Sequence, residues 1–397
     1  MPVCFSPVRP WPASLFGALV LMAPFDLLAS LAMDVYLPVV AGMPQALDTS
    51  AFLIQLTLSL YLLILGCGQL IFGPLSDRCG RRPILLGGAS LYAVASVGMA
   101  LADSGAGFLS WRIAQALGAS AALVATFATV RDVYAERPES ATIYGLFSAM
   151  LAFVPALGPL LGAAVDAWAG WRAIFWMLAL LSLASGWRAW RRWPETRMSP
   201  ATDSHIRVAQ IMCNRSFLVH TLGFATAMGA FFVFFSSAPG VLMRRGDYDG
   251  LSFSLAFASV AGVMLVASRL AGRAVQRWGH AACFRSGAAL ILAAGLSLGG
   301  AAWIGGPLFL CFVVPMWIAA AGLVLMVSVT ANGALADFGA AAGLAVALYY
   351  GLQSLLVAVV GTMLLALFDD GSAGPLAAYC VLMPAASLVA FSRLKKV

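Results

Sequence analysis

Charge is scarce in this chain, and histidine scarcer. Only 10% of its 397 residues are charged, where a soluble domain carries roughly 25%, so an ordinary water-soluble fold is excluded. The three histidines are His205, His220 and His280; two fall in loops and one near a span end, which leaves an intramembrane enzyme without a general base. Neither an H-E-x-x-H pattern nor a Cys/His cluster occurs, so no metal is expected. The seven cysteines are odd in number, scattered and free of C-x-x-C spacing, which excludes a disulfide framework and a zinc site and leaves them as small apolar fillers. The net charge of +7 comes from short basic clusters between apolar runs. A nucleic-acid binder would gather them on one solvated face, so nucleic acid is excluded as a partner.

What is present is apolar length. Hydrophobic residues make up 62% of the chain and the mean hydropathy is +0.94. Runs of about 20 residues, the length that crosses a bilayer, recur near 13–38, 51–72, 84–102, 108–130, 141–164, 171–192, 216–240, 251–271, 283–304, 306–329, 340–367 and 374–392. The expected fold is an all-α polytopic membrane protein of twelve spans. The first run is preceded by one basic residue, Arg9, contains Asp26 and lacks a convincing cleavage site, so it reads as a retained span rather than a signal peptide. Nineteen of the 23 basic residues then fall on one side and three (Arg172, Arg244, Arg245) on the other. The positive-inside rule therefore predicts that both termini are cytoplasmic, with a short tail after Lys396. The longest polar segment divides the chain into an N-terminal six-helix bundle (1–193), a central cytoplasmic loop (194–210) and a C-terminal six-helix bundle (211–397). GPLSDRCGRRP (73–83) after the second span and GRAVQRWG (272–279) after the eighth support that division as a weak internal repeat.

Three charges lie inside spans: Asp26 and Asp34 in the first, Arg112 in the fourth. Such residues face cavities and carry ions, protons or ligands, because an exposed charge in hydrocarbon is costly. Asp26, Ser30 and Asp34 are spaced i, i+4, i+8 and form one stripe on a helix, flanked by Pro24 and Pro38, which disturb its backbone bonds. Water is scarce there, so a carboxyl on this stripe can take up and release a proton. Asp34 and Arg112 share the outer half of the membrane and are expected to pair; Asp26 lies about 12 Å deeper at 1.5 Å per residue. Met and aromatic side chains suit a pocket for varied apolar ligands, which makes Met33, Tyr36, Tyr61, Met150, Phe231 and Phe235, with Ser30, candidate lining.

Three motifs surround these charges. In the 73–83 loop, Gly73, Asp77, Arg78, Gly80, Arg81 and Arg82 place a carboxylate among arginines, and the glycines allow a hairpin too tight for side chains. The fourth span opens Trp111-Arg112-Ile113-Ala114-Gln115-Ala116-Leu117-Gly118, and the fifth holds Gly158-Pro159-Leu160-Leu161-Gly162.

The loop resembles that of the major facilitator superfamily, G-x-L-x-D-R-x-G-R-R, at every position, with Arg131 and Asp132 as its expected partners. The fourth-span segment is similar to the R-x-x-Q-G motif of proton-linked antiporters, with Ala116 in place of the glycine. G-P-x-x-G at Gly158, Pro159 and Gly162 resembles the motif of exporters. PFDLLASLAMDVYLPVV, GASAALVATFATVRDVYA and YGLFSAMLAFVPALGPLLGA, among other segments over nearly the whole chain, resemble the bacterial chloramphenicol and florfenicol exporters. The resemblance implies a multi-pass protein of the bacterial inner membrane that expels phenicols against protons by alternating access and so confers resistance. It implies protons and a small drug as partners and no cofactor, since the proton gradient drives it. It casts Asp26, Asp34 and Arg112 as the coupling and substrate residues and the loop as a cytoplasmic latch. A monomer is expected. The alternative is a multidrug or metabolite exporter of the same fold.

Overall fold

The computed structural model describes residues 15–134, 139–196, 208–304, 306–338, 342–368 and 371–394. Twelve long helices carry it: α1 (Leu15–Asp34), α2 (Ala51–Cys79), α3 (Arg81–Ala100), α4 (Gly105–Tyr134), α5 (Glu139–Ala169), α6 (Trp171–Arg192), α7 (Arg215–Ala238), α8 (Gly250–Trp278), α9 (His280–Ile304), α10 (Val314–Leu335), α11 (Ala342–Leu367) and α12 (Gly374–Leu394). Each coincides with one predicted span. Eleven are long and apolar enough to cross a membrane, and α5, with 31 residues, has its apolar stretch at Leu157–Ala169. Among the described residues there is no strand. This is a multi-pass membrane architecture, with Trp176, Leu180, Leu183 and Trp187 of α6 exposed where lipid would lie.

Local chemistry sets the helix ends. Ser50, Asn214 and Asp249 cap α2, α7 and α8 by accepting from the backbone N–H three residues on, at 2.8–3.2 Å, as short polar side chains do at an N-terminus. The expected 73–83 hairpin is mostly helix. Gly73 and Pro74 lie inside α2, and the whole turn into α3 is one residue, Gly80, with φ at 101°, a backbone region closed to most side chains. Gly279 makes the same one-residue turn between α8 and α9, with φ at 79°.

The packing repeats after six helices. α1 packs on α4, α5 and α6, α2 on α4, and α3 on α4 and α6; α7 packs on α10, α11 and α12, α8 on α10, and α9 on α10 and α12. The tightest approaches repeat too. A Cβ on Gly118 would stand 2.6 Å from the Gly88 carbonyl oxygen (α4 on α3), and one on Gly322 would stand 2.6 Å from that of Gly287 (α10 on α9). Small residues let backbones meet where lipid provides no hydrophobic drive.

The two sets of six meet chiefly along α2–α11 and α5–α8. Small and hydroxylic groups make these seams: the Thr362 hydroxyl donates to the Ser59 hydroxyl at 2.7 Å, and the Ser254 hydroxyl donates to the Pro159 carbonyl at 3.1 Å. No ion pair crosses them among the described residues. Arg197, Asp203, His205 and Arg207 of the central loop lie outside the described residues.

Candidate functional site

Arg112 is the hub. It lies on α4, fully buried, and a guanidinium keeps its charge and has only donors to offer. One Nη donates to Gln115 Oε1 at 2.7 Å and the other to the Ala32 carbonyl at 3.0 Å. Its plane lies over the Tyr61 ring at 4.2 Å and the Tyr36 ring at 5.2 Å, a cation–π arrangement that gains strength away from water. Gln115 passes the chain on by donating to the Ser96 hydroxyl at 2.8 Å, which donates to the Tyr92 carbonyl, also at 2.8 Å.

The expected Asp34–Arg112 ion pair is not what the helices build. Among the described residues no ion pair joins Arg112 to Asp34. The reason lies at the end of α1. The helix stops at Asp34 and tightens into a 3₁₀ turn at Leu37–Val39 around Pro38, and the last carbonyls of a helix lack intrahelical partners. Arg112 caps one of them. Two tyrosines hold α1 one turn lower: Tyr61 donates to the Ala29 carbonyl at 2.8 Å and Tyr92 to that of Leu28 at 3.0 Å.

Both carboxyls on α1 are buried, Asp26 at 3% exposed and Asp34 at 6%. The Oδ2 of Asp26 has no hydrogen-bond partner among the described residues. Ser30, between them, donates to the Asp26 carbonyl at 3.4 Å. Asp34 faces α5: a Cβ on Gly158 would stand 2.5 Å from the Asp34 Cβ, and one on Gly162 would stand 2.9 Å from the Val35 carbonyl carbon. Pro159, between these glycines, accepts from Ser254 on α8. The G-P-x-x-G segment thus touches α1 on one face and the other half of the protein on the other.

At the Gly80 end, Arg81 is buried and carries the charge network. It meets Asp77 at 2.6 Å and Asp132 at 2.8 Å, and donates to the Ser76 hydroxyl at 3.1 Å. Arg131 lies farther out, 3.9 Å from Asp77. Glu195, just past α6, accepts from the backbone N–H groups of Arg81 and Arg82 at 2.8 and 3.2 Å, supplying the acidic N-terminal cap that Gly80 cannot. Arg82 donates to the Trp190 carbonyl at 2.7 Å. Arg78 is exposed in the last turn of α2. All these bonds lie within the first six helices.

The candidate lining residues divide. Tyr36 and Tyr61 are fixed under Arg112, and Met33 is half-buried against the core. Phe231 and Phe235 pack on Phe257 at 6.0 and 5.8 Å between ring centroids. The Met150 side chain lies outside the described residues. Reasoning from the sequence missed Tyr92, Ser96 and Glu195 as site residues. Tyr92 and Ser96 stand i, i+4 in the largely apolar part of α3, a polar stripe that the pattern could have shown; Glu195 follows a span whose last turn is rich in arginine.

A sequence model of the Major Facilitator Superfamily matches residues 25–362. The chain is 48% identical over 379 residues to a "Chloramphenicol resistance protein" of Pseudomonas aeruginosa, covering 94% of this chain and 89% of the relative. It is 28% identical to "Multidrug resistance protein MdtL" of Escherichia coli O81 (strain ED1a) over 71% of each. Among solved structures, a D-xylose–proton symporter superposes with a TM-score of 0.79 at 18% identity, covering 95% of this chain and 97% of that one. A peptide transporter superposes at 0.78 and 12%, covering 98% and 96%. At these identities the two structures speak to the fold alone.

Proposed function

We propose that this chain, which belongs to the Major Facilitator Superfamily, expels phenicol antibiotics such as chloramphenicol and florfenicol across the bacterial inner membrane and so confers resistance. The observation that carries this reading is 48% identity, across 94% of the chain, to a relative named for chloramphenicol resistance. The family transports and does not catalyse.

The finer parts of the reading are its mechanism. The working unit is a monomer with both termini cytoplasmic, made of bundles 1–193 and 211–397 joined by the 194–210 loop. The two rock about the α2–α11 and α5–α8 seams, whose small and hydroxylic contacts permit sliding. Protons drive the cycle and no cofactor takes part. Protons from outside load Asp34 or Asp26; drug enters from the cytoplasmic side; drug binding favours proton release; the return to the outward-open state discharges the drug. Phenicols are neutral, so hydrogen bonds and apolar packing hold them.

The Arg112–Ala32 bond suggests how proton and helix are linked. While Asp34 is protonated it does not attract Arg112, which rests on the Ala32 carbonyl. Once Asp34 ionises, its charge competes for the guanidinium two residues farther along α1. Each proton transfer then resets the joint between α1 and α4, and α1 bears on α5 through Gly158. The network around Arg81 governs switching at the cytoplasmic face, away from the drug.

Drug accumulation in a sensitive bacterium expressing the chain tests this. Chloramphenicol and florfenicol should accumulate less than in control cells, and a protonophore should restore their level. Unchanged accumulation with the protonophore would sink proton coupling. A lipophilic cation and a sugar analogue in the same panel separate a phenicol exporter from the alternative multidrug or metabolite exporter.

A further inference from the structure

Two π-helical stretches stand among the described residues, Pro239–Arg244 after α7 and Phe309–Val313 before α10. Both wall the same cavity. Turns of this kind occur disproportionately at functional sites, because the added residue pushes side chains out of helical register. The cavity measures about 550 Å³ and lies between the two π-helical stretches, the end of α9 and the start of α12, at the end opposite Gly80. Val241, Leu298 and Phe312 give it apolar walls, and Arg245, Cys311 and Ser372 add polar atoms. The Ser372 hydroxyl is buried with no hydrogen-bond partner among the described residues.

The corresponding place in the first six helices is full. Tyr36 after α1, Phe108 of α4, and Trp171 and Phe175 of α6 pack there with ring centroids 5.3–6.1 Å apart. Six helices later Phe312 keeps an aromatic ring in the place of Phe108, but the two aromatic side chains of α6 give way to small ones. Where Trp171 opens α6, Gly374 opens α12, and Ala378 follows one turn on in the place of Phe175. The internal repeat would fill this corner; the residue choice in the second half leaves it open.

We infer that this cavity is a second small-molecule site, on the exit side, for a neutral ring-bearing molecule with hydrogen-bond acceptors, and that the exported phenicol occupies it. The inference rests on the export reading above. The volume falls within the roughly 300–1,000 Å³ of small-molecule pockets, and a largely apolar wall with a few polar groups is the usual lining of such pockets. The buried Ser372 hydroxyl, without a partner among the described residues, offers a donor to an acceptor on the ligand. A phenicol brings an aromatic ring, an amide and a nitro or sulfonyl group, which suit these walls. Drug released from the site between the halves would rest here before leaving.

Cys311 is a built-in reporter. Purified full-length protein is treated with a maleimide with and without chloramphenicol, and modification of Cys311 and of Cys213 is followed by mass spectrometry. Chloramphenicol should slow labelling of Cys311 several-fold and leave the exposed Cys213, before α7, unchanged. Gly299→Phe should abolish the protection, because a Cβ there meets nothing within 4 Å and its ring can fill the cavity. Ala377→Leu fills the same space if the first variant does not fold. Equilibrium dialysis with labelled chloramphenicol should give two equivalents per chain in the parent and one in the filled variant. One equivalent in both, or Cys311 protection that survives filling, overturns the inference. If cells still expel chloramphenicol in that case, the export reading stands without the second site; if expulsion fails as well, both fall.

Discussion

The guanidinium of Arg112 donates to the carbonyl oxygen of Ala32 across 3.0 Å, joining α4 to the last turn of α1. The contact is between a charge and a backbone group, so no substitution at position 32 removes it directly. It is removable only from the Arg112 side, and there by geometry as well as by charge. A planar fork that also stacks on two tyrosine rings has no equivalent in a lysine.

Arg112→Lys is therefore expected to behave like Arg112→Ala. Both should lose resistance in a susceptibility assay, while each still runs as a single species in size-exclusion chromatography. Full resistance in the lysine variant would show that charge alone suffices and that the fork is dispensable.

Gln115→Leu keeps the volume but removes the acceptor for Arg112 and the donor for Ser96. Leaving buried polar groups without partners costs about 1–3 kcal/mol, so the variant should unfold at a lower temperature than the parent and transport more slowly. Equal thermal stability would mean that water replaces the side chain there.

Asp26→Asn and Asp34→Asn should differ. Asp26 has a buried oxygen with no partner among the described residues, available to a drug or a proton. Asp26→Asn should retain some drug binding and lose pH-dependent transport, with no proton released when drug is added in detergent. Proton release equal to the parent's would pass the coupling role to Asp34.

At the α1–α5 crossing, Gly158→Ala places a carbon 2.5 Å from the Asp34 Cβ. Overpacking of this kind costs roughly 1–3 kcal/mol, and α5 must move away from α1. Efflux should fall more steeply than expression. Normal efflux would show that α5 does not need to press on Asp34 during the cycle.

In the Gly80 network, Asp77 is exposed and Asp132 is largely buried against Arg81. Exposed ion pairs contribute about 0–1 kcal/mol, so Asp77→Asn should slow turnover yet keep drug affinity within a few-fold, and Asp132→Asn should slow it further. A loss of drug binding to purified Asp77→Asn protein would argue against a switching role.

Much of the fold was legible beforehand, for a reason specific to membranes. A bilayer imposes one length and one composition on every crossing, so all twelve helices stood out as apolar runs. Asp26, Asp34 and Arg112 stood out because so few charges occur inside them, and they proved to be buried. The Gly80 turn was legible less accurately: two glycines suggested a tight hairpin over 73–83, but Gly73 lies inside a helix and only Gly80 has the backbone geometry that needs a glycine.

The length and number of the spans, the rarity of charge within them and the motif residues were thus determined by the sequence alone, since each depends on local composition. The partner of Arg112, the Glu195 cap on α3, the Gly88–Gly118 and Gly287–Gly322 approaches and the cavity at Ser372 were decided by the tertiary structure. Ala32 lies 80 residues from Arg112, and a backbone carbonyl has no sequence signature. Whether it or a nearby carboxylate receives a guanidinium depends on differences of an ångström in how two helices cross, which only packing settles.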